Sequence, residues 1–199
     1  HLAPFGKLTE YITARTPHDL IAISYLTADR LAAIGPSRQT IEVIPNGINV
    51  EQIRNVSLPE ESYDVLFAGR LVEHKNVDIL LDAFEELAST YDATLGIIGD
   101  GPERERLEAK REALTHTDRV AFLGYIGDYE NVLGHMRAAD IFASPSTREG
   151  FGITFLEAMA ADCTVIAADH PDSAADEVLG DAGLLTDLKV EDLTTKLKT

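Results

Sequence analysis

The stretch "DVLFAGRLVEHKNVDILLDAFEELAST", residues 64–90, decides the fold. Its first part, "DVLFAG" (64–69), is a short apolar run closed by glycine, the pattern of a strand buried on both faces. After a polar loop, Val77, Leu80, Leu81, Phe84 and Leu87 recur at helical spacing, and Asn76 stands at the expected N-cap. The same alternation continues toward the C-terminus. Strands are expected at "ATLGIIG" (93–99), "RVAFLG" (119–124), "DIFASPS" (140–146), "TVIAAD" (164–169) and "GLLT" (183–186). Helices are expected at "PERERLEAKREAL" (102–114), with Pro102 in its first turn, at "YENVLGHMRAA" (129–139), from near Gly152, and at "SAADEVLG" (173–180). Continuous Val, Ile, Leu and Ala runs separated by helices demand parallel pairing. The expected fold is therefore an open, doubly wound parallel α/β sheet of about six strands, Rossmann-like in kind.

Upstream the pattern is less regular. "HDLIAISY" (18–25) reads as a strand, "LTADRLAAIG" (26–35) as a helix closed by Gly35, and "IEVIPNGI" (41–48) as a strand entering an Asn46-Gly47 turn. The start at His1 without Met reads as an excised piece of a longer protein, and "VEDLTTKLKT" (190–199) as the beginning of a truncated helix.

Composition narrows the function classes. The 199 residues are 45% apolar, enough for one substantial core, and no apolar run reaches the roughly 18–20 residues that span a bilayer. One cysteine, Cys163, excludes an internal disulfide and a cysteine zinc cluster and makes a cytoplasmic location the expectation. With no His close in sequence, it reads as a small buried hydrophobe and not as a nucleophile. The net charge of −17 argues against a nucleic-acid partner. It suits a salt-adapted, halophile-like protein, and an ordinary acidic domain accounts for it equally.

In such a sheet, ligands bind beyond the carboxyl ends of the strands. The loop opening at Gly69 carries Arg70 and Lys75, two cations beside a helix start, which suits a diphosphate; two solvated charges are the plainer alternative. "REGFGITFLEAMA" (148–160) places Gly150 and Gly152 before a helix whose free N–H groups form an anion site. Glu149 precedes that helix, and Glu157 lies about five residues into it, roughly 7–8 Å along the axis. Carboxylates repel phosphate but accept sugar hydroxyls well. A sugar nucleotide has the matching layout, with Glu149 on the transferred sugar and Glu157 on the ribose. A solvated helix carboxylate and a helix-start charge explain them singly as well.

Taken together, "VIPNGIN" (43–49), "FAGRLVEHKNVDILLDAF" (67–84), "IIGDGPERERL" (97–107), "VAFLGYI" (120–126), "ADIFASPSTREGFG" (139–152), "REGFGITFLEA" (148–158) and "TVIAADHPDSAADEVLGDAGLL" (164–185) resemble, in order, the motifs of family 4 ("group 1") retaining glycosyltransferases of the GT-B fold. The resemblance implies that the chain is the C-terminal half of such an enzyme. Residues 1–40 would be a remnant of the N-terminal acceptor domain, 41–190 the donor domain, and 191–199 the start of a further helix. It implies Arg70 and Lys75 on the diphosphate with the backbone of Gly152, Ile153 and Thr154, Glu149 on the donor sugar, Glu157 on the ribose, and the Ile126 backbone on the base. The donor would be of UDP or GDP type, the acceptor hydroxyl is undetermined, no cofactor or metal is expected, and peripheral membrane association of the longer enzyme stays open. The piece alone is expected to be inactive. A GT-B nucleotide-sugar epimerase and a non-catalytic nucleotide-sugar-binding module are the rival readings. A flavodoxin-like regulatory domain is disfavoured, because Arg70 and not an acidic cluster follows the first strand. Three places depart from the family pattern: Asn76 where glycine is frequent, Asp162-Cys163 where Gly-x-Pro is common, and "DSAADE" (172–177) in place of a Gly-Gly stretch.

Overall fold

The computed structural model describes residues 4–13, 19–35 and 41–199. The chain forms two compact units that divide between Gly47 and Ile48. In the first, helix α1 (Pro4–Thr13) precedes strand β1 (Leu20–Ala22), helix α2 (Tyr25–Ile34) and strand β2 (Ile41–Val43). The strand expected over 18–25 begins at a residue outside the described set and is only three residues long within it, because Ser24 caps α2. The Ser24 hydroxyl accepts from Thr27 N at 3.0 Å and Thr27 Oγ1 reaches back to Ser24 N at 3.0 Å, a reciprocal box. β1 and β2 pair in parallel. The segment expected to run as a strand from 41 to 48 therefore pairs with β1 over three residues and then leaves the ladder.

The second unit carries the site. Helix α3 (Val50–Asn55), unmarked by the sequence pattern, starts where the Asn49 side chain accepts from Gln52 N at 3.0 Å. Then follow β3 (Val65–Ala68), the one-turn helix 73–75, α4 (Val77–Ala88), β4 (Leu95–Ile98), α5 (Arg104–Glu112) and β5 (Val120–Gly124). The chain continues with α6 (Tyr129–Ala138), β6 (Ile141–Ser144), α7 (Ile153–Ala160), β7 (Thr164–Ala168), α8 (Ala175–Leu179), β8 (Leu184–Thr186) and α9 (Val190–Leu197). All six strands of this sheet are parallel, in the order β5-β4-β3-β6-β7-β8. The doubly wound sheet expected from the alternating pattern is thus present. Pro102 sits in the turn before α5 and not in its first helical turn.

The pleat of each strand feeds two cores. Val65, Phe67, Leu95, Ile97, Ala143 and Ile166 point to one face and pack with α4, α5 and α9. Leu66, Ala68, Ile98, Phe142, Val165 and Ala167 point to the other and pack with α3, α6, α7 and α8. α4 buries Leu80, Leu81, Ala83 and Phe84 completely. Each fully buried large side chain contributes about 1.5–3 kcal/mol. The surface pairs between α4 and α5, Lys110–Asp82 at 2.7 Å and Arg106–Asp78 at 3.4 Å, are worth at most about 1 kcal/mol each. Apolar packing therefore holds the layers, and the charges decorate them.

Two departures from the family's glycines are explained by the backbone. Asn76 adopts φ 50° and Asp162 φ 67°, the only positive-φ non-glycine residues among those described. Asn and Asp tolerate this region better than other side chains. Asn76 occupies the N-cap position of α4 but makes no capping bond; its Nδ2 instead donates to Pro145 O at 2.8 Å. Cys163 is buried with its Sγ at 2.8 Å from Met136 O, and burial pushes its thiol up to about 12, as befits a packing residue. Asn76→Gly should lose the Nδ2 bonds to Pro145 O and His74 O, the former being the shorter and worth about 0.5–1.5 kcal/mol. Asn76→Ala should add the strain of the left-handed backbone, about 1–3 kcal/mol. Urea unfolding of both variants checks this; equal costs would mean that the backbone relaxes.

Candidate functional site

β3 and β6 are neighbours, yet the chain leaves them in opposite directions, through α4 to β4 on one side and through α7 to β7 on the other. The loops after these strands must diverge, and a crevice opens where they part. Their feet are tied together. Thr147 donates to His74 O from its N at 2.9 Å and from its Oγ1 at 3.2 Å. Asn76 bonds to Pro145 as described. Lys75 Nζ forms an ion pair with Glu149 Oε1, both side chains being largely buried at 17% and 14% exposure. His74 lies beside this pair, and burial together with Lys75 and Arg148 holds its imidazole below the usual range.

Above these ties lies a cavity of about 560 Å³, lined among others by Gly69, Arg70, Asp100, Ile126, Tyr129 and Thr154. Gly69 N donates to Ile98 O at 3.0 Å and Leu71 N to Asp100 O at 2.9 Å, which fixes the β3–α4 loop against the β4–α5 loop. That approach requires Gly99: its φ is +134°, and a Cβ there would fall 1.8 Å from Gly69 O. Arg70 is exposed and forms no ion pair with any described residue.

Gly152, at φ 78°, turns the chain into α7; a Cβ on it would meet the Phe155 ring at 2.5 Å. In the first turn of α7 Phe155 N donates to Gly152 O at 2.9 Å, which leaves the Ile153 and Thr154 N–H groups without an intrahelical acceptor at the positive dipole end. Thr154, in that turn, reaches the cavity, while Ile153 faces outward at 40% exposure. One turn on, Glu157 is 5% exposed. Burial raises its carboxyl above the usual range, opposed by the neighbouring Tyr129 hydroxyl. Burial also pushes the Tyr129 phenol up. Glu157 Oε2 is buried and has no partner. Buried polar atoms are nearly always paired, so an orphan calls for an explanation.

Of the residues singled out from the sequence, Gly69, Arg70, Ile126 and Thr154 line one cavity. Gly152 and Ile153 begin the helix beside it. Glu157 is buried one turn further into that helix and does not line the cavity, and Lys75 and Glu149 are bound to each other. Tyr129 and Asp100 were not singled out as site residues from the sequence. Tyr129 looks like any helix-start aromatic, and the Glu157 it neighbours is 28 residues away, so no local pattern marks it. Among the described residues, no group of three or more His, Cys, Asp or Glu is placed to hold a metal ion.

The parallel sheet with a crevice at its switch point defines the class, a doubly wound α/β domain. Solved structures share this fold. The whole chain superposes on 58% of the Anabaena HepE chain crystallised with UDP-glucose, with a TM-score of 0.83 at 23% identity. The C-terminal domain of a group 1 glycosyl transferase from Francisella tularensis matches 76% of this chain and 86% of its own, with a TM-score of 0.63 at 23% identity. Residues 49–199 match the family of glycosyl transferases group 1, and the chain belongs to that family. It is 37% identical over 151 residues to the phosphatidyl-myo-inositol mannosyltransferase of Mycolicibacterium smegmatis, covering 71% of this chain and 38% of that protein. It is 30% identical over 178 residues to the 2-deoxystreptamine glucosyltransferase of Streptomyces kanamyceticus, covering 82% and 46%. The chain spans less than half the length of these two curated relatives.

The raised Glu157 carboxyl has a measurable sign. The native state holds this proton more tightly than the unfolded chain, so stability falls as pH rises from the ordinary value of 4.5 through the folded-state value. Glu157→Gln should therefore raise the melting temperature at pH 7 relative to wild type, with the gain vanishing below pH 4.5. Calorimetry at several pH values tests this; a constant difference would show that the carboxyl does not titrate anomalously.

Proposed function

We propose that the chain is the donor-binding part of a retaining, family 4 glycosyltransferase that moves a sugar from a nucleoside diphosphate to an acceptor hydroxyl. Residues ahead of Ile48 are then a strip of the acceptor-side domain. The observation that supports this reading is a cavity lined by Arg70 and by Thr154 of the first turn of α7, with Glu157 buried one turn further along that helix. Arg70 offers a guanidinium that forms no ion pair with any described residue, α7 offers its N-terminus, and Glu157 is a buried carboxylate with an oxygen that no hydrogen bond uses. The first two suit a diphosphate and the third a ribose. HepE, with a similar fold, was crystallised with UDP-glucose, and the curated relatives named above are a mannosyltransferase and a glucosyltransferase, which supports a hexose donor of UDP or GDP type.

The Lys75–Glu149 pair then has a double use. Before the donor enters, each charge is compensated by the other in a partly dry loop junction, where an isolated charge would be costly. On binding, Lys75 turns to the diphosphate and Glu149 to hydroxyls of the transferred sugar. As the glycosidic bond breaks, the sugar takes on oxocarbenium character and negative charge builds on the leaving diphosphate. Arg70, the reoriented Lys75 and the α7 N–H groups receive that charge.

Arg70→Ala should weaken a nucleoside diphosphate about 10- to 100-fold and leave the bare nucleoside unchanged, since a charge-assisted hydrogen bond is worth about 1.5–3 kcal/mol. Glu149→Gln frees Lys75, so it should not weaken the nucleoside diphosphate, yet it should weaken the sugar nucleotide. Titration calorimetry with nucleoside, diphosphate and sugar nucleotide decides both. Equal losses on all three ligands would sink the assignment.

A further inference from the structure

We propose that residues 169–181 form a salt-gated strap on Glu149: mutual repulsion of their carboxylates loosens them from it at low ionic strength, and screening lets them close. The link to function rests on the donor reading above, in which Glu149 holds the transferred sugar.

The strap joins β7 to β8 and contains α8. It meets the site at one residue. Glu149 and Ser173 form an isolated parallel bridge outside the sheet. Glu149 N donates to Asp172 O at 3.3 Å, and Ala174 N donates to Glu149 O at 3.0 Å. The strap thus holds the backbone on which the Glu149 carboxylate is mounted, while that carboxylate is paired with Lys75.

What holds the strap down is small. Its buried apolar side chains are Ala174, Ala175 and Leu179, with Val178 partly buried beside them. Burial stabilises in proportion to the apolar area removed from water, and an alanine brings one methyl group. Against this stand the exposed carboxylates of Asp169, Asp172, Asp176, Glu177 and Asp181. They surround the stretch "DSAADE" (172–177), which replaces the Gly-Gly of the family pattern. No Lys or Arg occurs between Arg148 and Lys189. Asp169, Asp176 and Asp181 form no ion pair with any described residue, and neither does Arg148 next to the bridge. The elements packed against α8 are α7, β7 and β8; they bring one ionisable side chain, Glu157, and no cation. His170 accepts from Asp172 N through Nδ1 at 3.1 Å, which an imidazolium could not do, so it adds no positive charge. The net charge of −17 adds a background field of the same sign. Exposed charges repel over the Debye length, about 10 Å at 0.1 M salt and about 3 Å at 1 M. Salt therefore removes the opposing force and leaves the bridge and the apolar contacts to close the strap.

Hydrogen exchange read by mass spectrometry tests this on the whole chain at about 0.05 M and about 1 M KCl, in wild type and in the triple variant Asp169→Asn/Asp176→Asn/Asp181→Asn. In wild type the higher salt should slow exchange in peptides covering Glu149 and residues 173–181 by about tenfold or more, and slow it far less in β3. In the variant those peptides should be protected at both salts. Asp176 stands in the first turn of α8, where a negative charge is favourable. Asp169→Asn/Asp181→Asn is therefore the second variant if melting curves show that the triple variant is unfolded. Titration supplies the functional arm, with UDP-glucose against UDP or GDP-mannose against GDP, whichever pair binds. Screening of the phosphate contacts is common to both proteins, so they are compared at each salt. At low salt the variant should prefer the sugar nucleotide over its diphosphate by about threefold or more beyond wild type, the range of one neutral hydrogen bond, and at high salt the two should agree. Salt-independent exchange over 173–181 overturns the proposal. So does equal slowing in every peptide, or a variant as salt-dependent as wild type. If exchange is gated by salt while the sugar preference is not, the strap stands and the sugar contact assigned to Glu149 falls. If neither ligand pair binds, the donor reading falls and exchange alone decides the strap.

Discussion

Strand β3 has no solvent-facing side: Val65, Leu66 and Phe67 are at most 1% exposed, and the strand pairs with β4 on one edge and β6 on the other. A strand in that position needs a helical layer on each face and a neighbour on each side. The helices of this unit and the flanking strands answer those needs. α4, α5 and α9 cover one face, and α3, α6, α7 and α8 the other. Because the crossovers must keep one hand, the chain leaves β3 toward one edge and β6 toward the other, and the crevice between them is a consequence of the topology. The site therefore costs the fold nothing extra to open.

Holding that crevice in shape is the work of polar groups. The ties from His74, Lys75 and Asn76 to Thr147, Glu149 and Pro145 join the loops below the cavity, and Gly69 and Gly99 bring two other loops into backbone contact. In a chain with a net charge of −17, the rim shows a deliberate distribution of charge. Lys75 is neutralised by Glu149, whereas Arg70 is left without an ion pair among the described residues and Glu157 is buried with an oxygen unused. Desolvation dominates at Glu157, since its carboxyl is raised on balance.

The membership of the chain in the group 1 family rests on motifs spread over most of its second unit, and those motifs coincide with the loops after the strands. Two of the three places that depart from the family's glycine pattern, Asn76 and Asp162, have left-handed backbone, the conformation that glycine enters most readily. Asn and Asp adopt it at some cost, and at Asn76 the side chain adds a bond that glycine could not make.

The alternation of buried runs and one-faced helices from residue 64 onward determined the six-stranded sheet, the count and order of its strands along the chain, and the loops that would form the rim. These are local signals: period, composition and punctuation are written in consecutive residues. α3 was missed although Asn49 marks its cap, because a six-residue helix shows less than two turns of periodicity. The β1–β2 pairing, the Lys75–Glu149 ion pair and the proximity of Tyr129 to Glu157 belonged to the tertiary structure alone. Each joins residues about twenty or more positions apart. Burial of Glu157 is of the same kind: in sequence it is one acidic residue on an apolar helix, and only the packing of α6 against α7 removes the water that would otherwise satisfy it.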